Sequence, residues 1–241
     1  MSSNNENNKF FSKRSIITLI IILLCIPATI FCGWYFFDDR KYVFISIVLL
    51  FMAMVPFLFI FEGKKPKARQ IMVIAVLTAI TIISRAIFCM IPNMKPVAAM
   101  IIIIAVCLGP ETGFLVGCLS MLLSNIFFGQ GPWTPWQMFT YGLIGFVAGK
   151  LYQMGIIKKN RLSLSIYGFL SVIIIFGGIM NPASLIMYTS DITVKGLISM
   201  YISGFPVDLM HATATVIFIV IGAMPLIEKI DRVKNKYGIN S

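Results

Sequence analysis

The sequence predicts an all-α, polytopic membrane protein, with a six-helix core preceded by two extra transmembrane helices. Three observations carry this. Of 241 residues, 59% are hydrophobic and only 12% are charged, against about 25% charged in soluble domains. The apolar residues fall into runs near the length of a bilayer crossing, which needs about 20 residues within a range of about 17–25. The basic residues sit in short blocks between those runs. A soluble fold of this size could not bury so much apolar surface, so its solvent is largely lipid.

Eight helical segments can be drawn, at 15–37, 42–61, 71–91, 97–109, 112–128, 136–156, 163–189 and 197–227. The first follows basic residues, as a signal peptide would, but it is too long for an h-region and a second apolar run follows, so a retained helix is expected. Segment 97–109 is short and is expected to be tilted less or broken near Pro110. Segment 197–227 is long and contains Gly204 and Pro206, so its outer part is expected to bend or to lie across the mouth of the bundle.

The net charge of +11 invites a nucleic-acid reading. The distribution argues against it, because the positive-inside rule accounts for where the charges lie. Fifteen of the twenty basic residues fall in four blocks placed inside: Lys9, Lys13 and Arg14; Lys64, Lys65, Lys67 and Arg69; Lys150, Lys158, Lys159 and Arg161; Lys229, Arg232, Lys234 and Lys236. Arg40, Lys41, Lys95 and Lys195 fall in outside loops, and Arg85 lies in a helix. Both termini are then cytoplasmic. The expected organisation is a cytoplasmic tail at 1–14, two added helices at 15–62, a basic linker at 63–70, the six-helix core at 71–228 and a basic tail at 229–241. The segment GQGPWTPWQM, residues 129–138, is placed outside as a loop.

Polar groups inside apolar helices cost about 2.5–3.5 kcal/mol on insertion scales and mark function by default. Arg85 either snorkels to the interface or faces a cavity as a cation for an anionic or amide-bearing ligand. Asp208 and His211 are three apart and share a helix face. They either satisfy each other or form a ligand-facing ledge, with Asp208 able to reach Arg85. Asn181 precedes Pro182, which frees a carbonyl one turn earlier, so the site is a kink or a ligand contact. Asn125 closes the fifth segment just before the loop. Gln130, Trp133 and Trp136 lie in the loop itself, the tryptophans either as an interfacial belt or as aromatic walls. All of these converge on the outer half, which suggests one outward-facing small-molecule pocket.

Small residues four apart allow close helix approach. Ala75 and Ala79 form an AxxxA on the first core helix, and Gly113–Gly117 and Gly145–Gly149 repeat the spacing. The five cysteines lie in apolar runs without a CxxC pair and read as buried small hydrophobes. GxxxxGK[ST], HExxH and GxSxG motifs are absent from the sequence, which excludes a P-loop ATPase and the corresponding hydrolases. No catalytic residue, metal site or cofactor is assigned.

Three features together resemble the substrate-binding S components of energy-coupling factor (ECF) vitamin transporters. They are Ala75-Val-Leu-Thr-Ala79, the run Phe127-Phe-Gly-Gln-Gly-Pro-Trp-Thr-Pro-Trp-Gln-Met138, and Gly204-Phe-Pro-Val-Asp-Leu-Met-His-Ala212. The resemblance covers about residues 70–228, and the two leading helices depart from the six-helix norm. It implies a high-affinity subunit that binds a vitamin at the outer face, cobalamin first among candidates and a flavin or another vitamin behind it. It also implies partners, a T subunit docking on Ala75 and Ala79 and two ABC-type ATPases that supply the energy. A self-sufficient, ion-coupled secondary transporter of a small organic molecule is the alternative.

Overall fold

The computed structural model describes residues 13–37, 47–49, 51–52, 55, 68–92, 94–188 and 193–238. The described residues form helices and connecting turns, with no strand among them. The chain begins with α1 (Lys13–Ile20) and α2 (Ile26–Phe37), joined by the π-helical turn Ile21–Cys25. It continues through α3 (Ala68–Ile87), α4 (Val97–Leu108), α5 (Pro110–Phe128) and α6 (Trp133–Gln153). Then come α7 (Arg161–Ser171), a second π-helical turn (Val172–Phe176), α8 (Gly177–Tyr188) and α9 (Val194–Tyr237). Residues 47–49, 51–52 and 55 of the expected second span are helical. The rest of that span, most of the basic linker, and Lys9, Arg40, Lys41, Lys64, Lys65 and Lys67 lie outside the described residues.

Local chemistry sets the helix ends. Asn160 caps α7 by accepting the Ser163 N–H at 2.8 Å, and Thr193 caps α9 by accepting the Gly196 N–H at 3.0 Å. Gly238 closes α9 in the left-handed conformation. Between α4 and α5 the whole connection is Gly109, with φ of 98°. Pro110 then opens α5, where a missing N–H costs nothing. The short fourth segment therefore ends by reversing direction at one glycine. At about 1.5 Å per residue its 12 residues reach only about 18 Å. Nearly all of α4 is buried inside the bundle, so protein rather than lipid surrounds it.

Two segments run differently from their sequence outlines. Helix α9 runs as one unbroken helix of 44 residues, with Pro206 and Pro225 inside it. Its first part packs along α8, where the Tyr201 hydroxyl donates to the Gly178 carbonyl at 3.2 Å. That carbonyl is the one Pro182 leaves without its helical N–H partner. The second segment is residues 129–138. Only the turn before Trp133 is non-helical; Trp133 to Met138 form the first turns of α6. Pro135 lies within the first turn, where backbone N–H groups have no helical acceptor in any case.

In lipid the hydrophobic effect does not drive helices together, so close packing must. The α5–α6 pair is the tightest seam. A Cβ on Gly145 would sit 2.6 Å from the Gly113 carbonyl oxygen, and one on Gly149 would sit 2.5 Å from Pro110 Cα. Phe114 and Phe146 meet edge to face at 6.5 Å along the same seam. Ile22, Ile26 and Ile30 from the leading helices, with Leu49, belong to the same buried core. At the basic end, Lys159 pairs with Asp231 at 2.8 Å, and Lys234 donates to the Cys107 carbonyl at 3.1 Å. These contacts tie the α6–α7 turn and the end of α4 to α9.

Candidate functional site

The opposite end of the bundle holds two polar networks on either side of one small cavity. The first network begins at Arg85, in the last turn of α3. Its Nη1 donates to Ser124 Oγ and, at 2.8 Å, to Asn125 Oδ1, both fully buried on α5. The guanidinium also lies 5.0 Å from the centre of the Phe128 ring. Asn125 Nδ2 in turn donates to Thr134 Oγ1 at 3.1 Å and to Gln137 Oε1 at 2.9 Å. Thr134 donates to Gln130 Oε1, and Gln130 Nε2 donates to the Leu122 carbonyl at 3.0 Å. The α5–α6 turn is thus fastened by its own side chains, and Gly129 supplies the positive φ of 107° that turns the chain.

The second network joins α8, α6 and α9. Asn181 Nδ2 donates to Asp208 Oδ2 at 2.8 Å. Gly177 and Gly204 leave the room for this pair, since a Cβ on Gly177 would meet Asp208 Oδ2 at 2.6 Å. His211 Nε2 lies 3.2 Å from the Tyr141 hydroxyl, and the Phe176 ring meets the imidazole edge to face at 4.8 Å. Asp208 and His211 therefore do not satisfy each other, although they share a face. The carboxylate takes its partner from α8 and the imidazole takes its own from α6. Arg85 is likewise held by Ser124 and Asn125 rather than by Asp208.

Between the networks is a cavity of about 140 Å³. Arg85, Lys95, Val97, Met121, Gln137, Tyr141, Phe176, Val207 and His211 line it. Of the residues singled out in the sequence, Arg85 and His211 reach this cavity. Asn125 stands behind Arg85 and Gln137, and Asn181 holds Asp208 beside it. Gln130 braces the turn. Trp133 folds back on Gly131, where a Cβ would meet its six-membered ring at about 2.5 Å. Trp136 packs against the bundle core. Neither tryptophan is among the cavity's lining residues.

Seven of the nine lining residues escaped the sequence reading as site residues, and four of those are polar or aromatic. Gln137 and Tyr141 are four apart and share one face of α6, a spacing that points both at the same neighbours. Phe176 closes the π-helical turn before α8, a kind of insertion frequent at functional sites. Lys95 had served only to orient the bundle. Its approach to the cavity depends on how the α3–α4 turn folds back.

On α3 the buried face is Ile74, Leu77, Thr78 and Thr81. Ala75 and Ala79 lie on the exposed side, beside Met72 and Val76. The small-residue stripe is therefore not used to pack this bundle.

A family model described as "ECF-type riboflavin transporter, S component" matches residues 65–232. The relatives matched carry the description UPF0397 protein. The one from Vibrio atlanticus (strain LGP32) is 36% identical over 70 residues, 29% of this chain and 36% of its own length. That from Aliivibrio fischeri (strain MJ11) is 32% identical over 75 residues, 31% of this chain and 39% of its own. That from Aliivibrio salmonicida (strain LFI1238) is 29% identical over 90 residues, 36% of this chain and 47% of its own. The matches thus span less than half the length of these relatives. No solved structure matches.

Proposed function

The chain belongs to the family of ECF-type riboflavin transporter S components, and from that premise we propose that it is the membrane-embedded, substrate-binding subunit of an ATP-driven vitamin importer. The observation that carries the proposal is the cavity walled by Arg85, Gln137, Tyr141, Phe176 and His211. A few convergent polar groups beside aromatic rings are the usual make-up of a small-molecule site. In this reading the pocket opens outward, Arg85, Asn125, Gln130, Asn181, Asp208 and His211 form or brace it, and Trp133 and Trp136 stiffen its rim. A T subunit docks along Ala75 and Ala79, and two ABC-type ATPases on other chains hydrolyse the ATP. The domain plan is a substrate-binding core at 71–228 with two added helices before it.

The resemblance puts cobalamin first among the candidate substrates. The cavity favours something smaller. Its roughly 140 Å³ falls below the range of about 300–1,000 Å³ usual for ligand pockets. A flavin would have to spread the lining, and a corrinoid, being larger, would have to spread it further. A flavin-sized vitamin is therefore the preferred cargo.

Purification of the full chain in mild detergent, with absorbance and mass spectrometry of what co-purifies, tests this. A yellow, flavin-bearing preparation supports the preferred cargo, and a red, corrinoid-bearing one overturns it in favour of cobalamin. Uptake into vesicles that follows an ion gradient without any ATPase subunit would replace the importer with a secondary transporter.

A further inference from the structure

Every polar side chain that lines the cavity can donate a hydrogen bond, and two carry positive charge: Arg85 and Lys95. Among the described residues no carboxylate lines it, and the buried acid nearby is Asp208, already held by Asn181. All of Arg85's hydrogen bonds among the described residues leave from Nη1 and end on neutral acceptors or sulfur. Its Nε and Nη2 have no hydrogen-bond partner among the described residues, and a guanidinium offers five N–H groups in a fork suited to planar oxyanions. Gln137 accepts from Asn125 through Oε1, which leaves its amide N–H groups to donate. Two like charges at one partly desolvated cavity repel each other unless something negative lies between them. Burial and the neighbouring Arg85 charge both pull the Lys95 ammonium below the ordinary lysine value.

We infer that the cavity binds an anionic group of the transported substrate, a carboxylate or phosphate held between Arg85 and Lys95. This rests on the importer reading and narrows its cargo to vitamins or precursors that carry such a group, so a co-purifying flavin without phosphate or carboxylate would keep the importer reading and overturn this inference. At about 140 Å³ the cavity suits a headgroup of that size, with the remainder of the molecule extending past Tyr141 and Phe176. Recognition would use charge-assisted hydrogen bonds, which are roughly twice as strong as neutral ones.

The minimal probes are inorganic phosphate and acetate, titrated against the full chain in neutral detergent at constant ionic strength set by chloride. Thermal unfolding is the readout. The expected result is a saturable rise in midpoint with at least one probe, at least tenfold weaker in apparent affinity for Lys95→Gln and retained in Lys95→Arg. No saturable rise, or a rise unchanged in both Lys95→Gln and Arg85→Gln, overturns the inference. Lys95 lies in a turn, so its variant keeps the test decisive should Arg85→Gln misfold. A lysine-dependent rise produced by phosphatidylglycerol but by neither soluble anion would assign the pocket to a lipid headgroup and also overturn it. Reconstitution with a T subunit and two ATPases is scored separately. Saturable phosphate binding without ATP-driven uptake upholds the anion site and removes the importer reading; uptake by a chain blind to both anions does the reverse.

Discussion

Asp208 is a buried carboxylate whose hydrogen-bond partner is a neutral amide, Asn181. Removing the amide strands the acid. Asn181→Ala is expected to cost about 1–3 kcal/mol, the penalty for an unsatisfied buried polar group and larger when that group is charged. Asp208→Asn in the same background should recover part of the loss, because a neutral side chain is cheaper to leave unpaired. Denaturant unfolding of the single and double variants in detergent measures this, and additive losses would mean that the two side chains are not coupled. The residues of this network were legible in the sequence, but their pairing was not. The spacing of Asp208 and His211 placed both on one helix face, as the structure has them. Which partner each finds depends on the register of α8 and α6 against α9, and a repeat within one helix carries no information about its neighbour's register. The same limit explains Arg85, which was singled out in sequence yet finds Ser124 and Asn125 only because α3 crosses α5 at that height.

The helices themselves were easier to read than their contacts. Apolar runs of near-spanning length place α3 to α6 and the joined α7–α8 stretch within a few residues, since nothing but a helix satisfies its backbone inside lipid, whereas α9 continues beyond the expected end at 227 to Tyr237. The exception is Trp133 to Pro135, read as loop before a helix drawn from 136, although Pro135 falls in the first turn of α6, the one part of a helix that tolerates proline. The glycine spacings were also informative. Gly145→Ala is expected to force α5 and α6 apart and to destabilise by about 1–3 kcal/mol, as overpacking does. Gly222, where a Cβ meets nothing within 4 Å, is the control; Gly222→Ala should be neutral or stabilising by up to about 1 kcal/mol. Equal effects of the two substitutions would show that close approach at Gly145 is unimportant. The Ala75 and Ala79 stripe has the opposite character, because it is exposed. Ala75→Leu with Ala79→Leu is expected to leave ligand binding intact while abolishing uptake and co-purification of a T subunit. Loss of binding instead would place the stripe inside the bundle.

At the scale of the whole molecule the two ends differ in chemistry, and this fixes an orientation that can be tested. One end gathers Lys150, Lys159, Asp231 and Lys234, where Lys159 bonded to Asp231 and Lys234 bonded to the Cys107 carbonyl tie the α6–α7 turn and the end of α4 to α9. The other end gathers Arg85, Lys95 and the Gln130 turn around the cavity. Cytoplasmic surfaces of membrane proteins carry the excess of lysine and arginine, so the first end is expected inside and the cavity end outside. Of the five cysteines expected to be buried, Cys107 and Cys118 are, but Cys32 and Cys89 are exposed, and Cys89 is so because it lies in the turn after α3, at the cavity end. Asn160 is exposed in the turn before α7, at the basic end. With Cys89 as the single cysteine, a membrane-impermeant maleimide is expected to label intact cells. With Asn160→Cys as the single cysteine, labelling should appear only after permeabilisation. The reverse pattern would turn the bundle over and open the cavity to the cytoplasm. An importer's substrate-binding subunit could not then meet its cargo from outside, so the labelling result bears on the function as directly as on the topology.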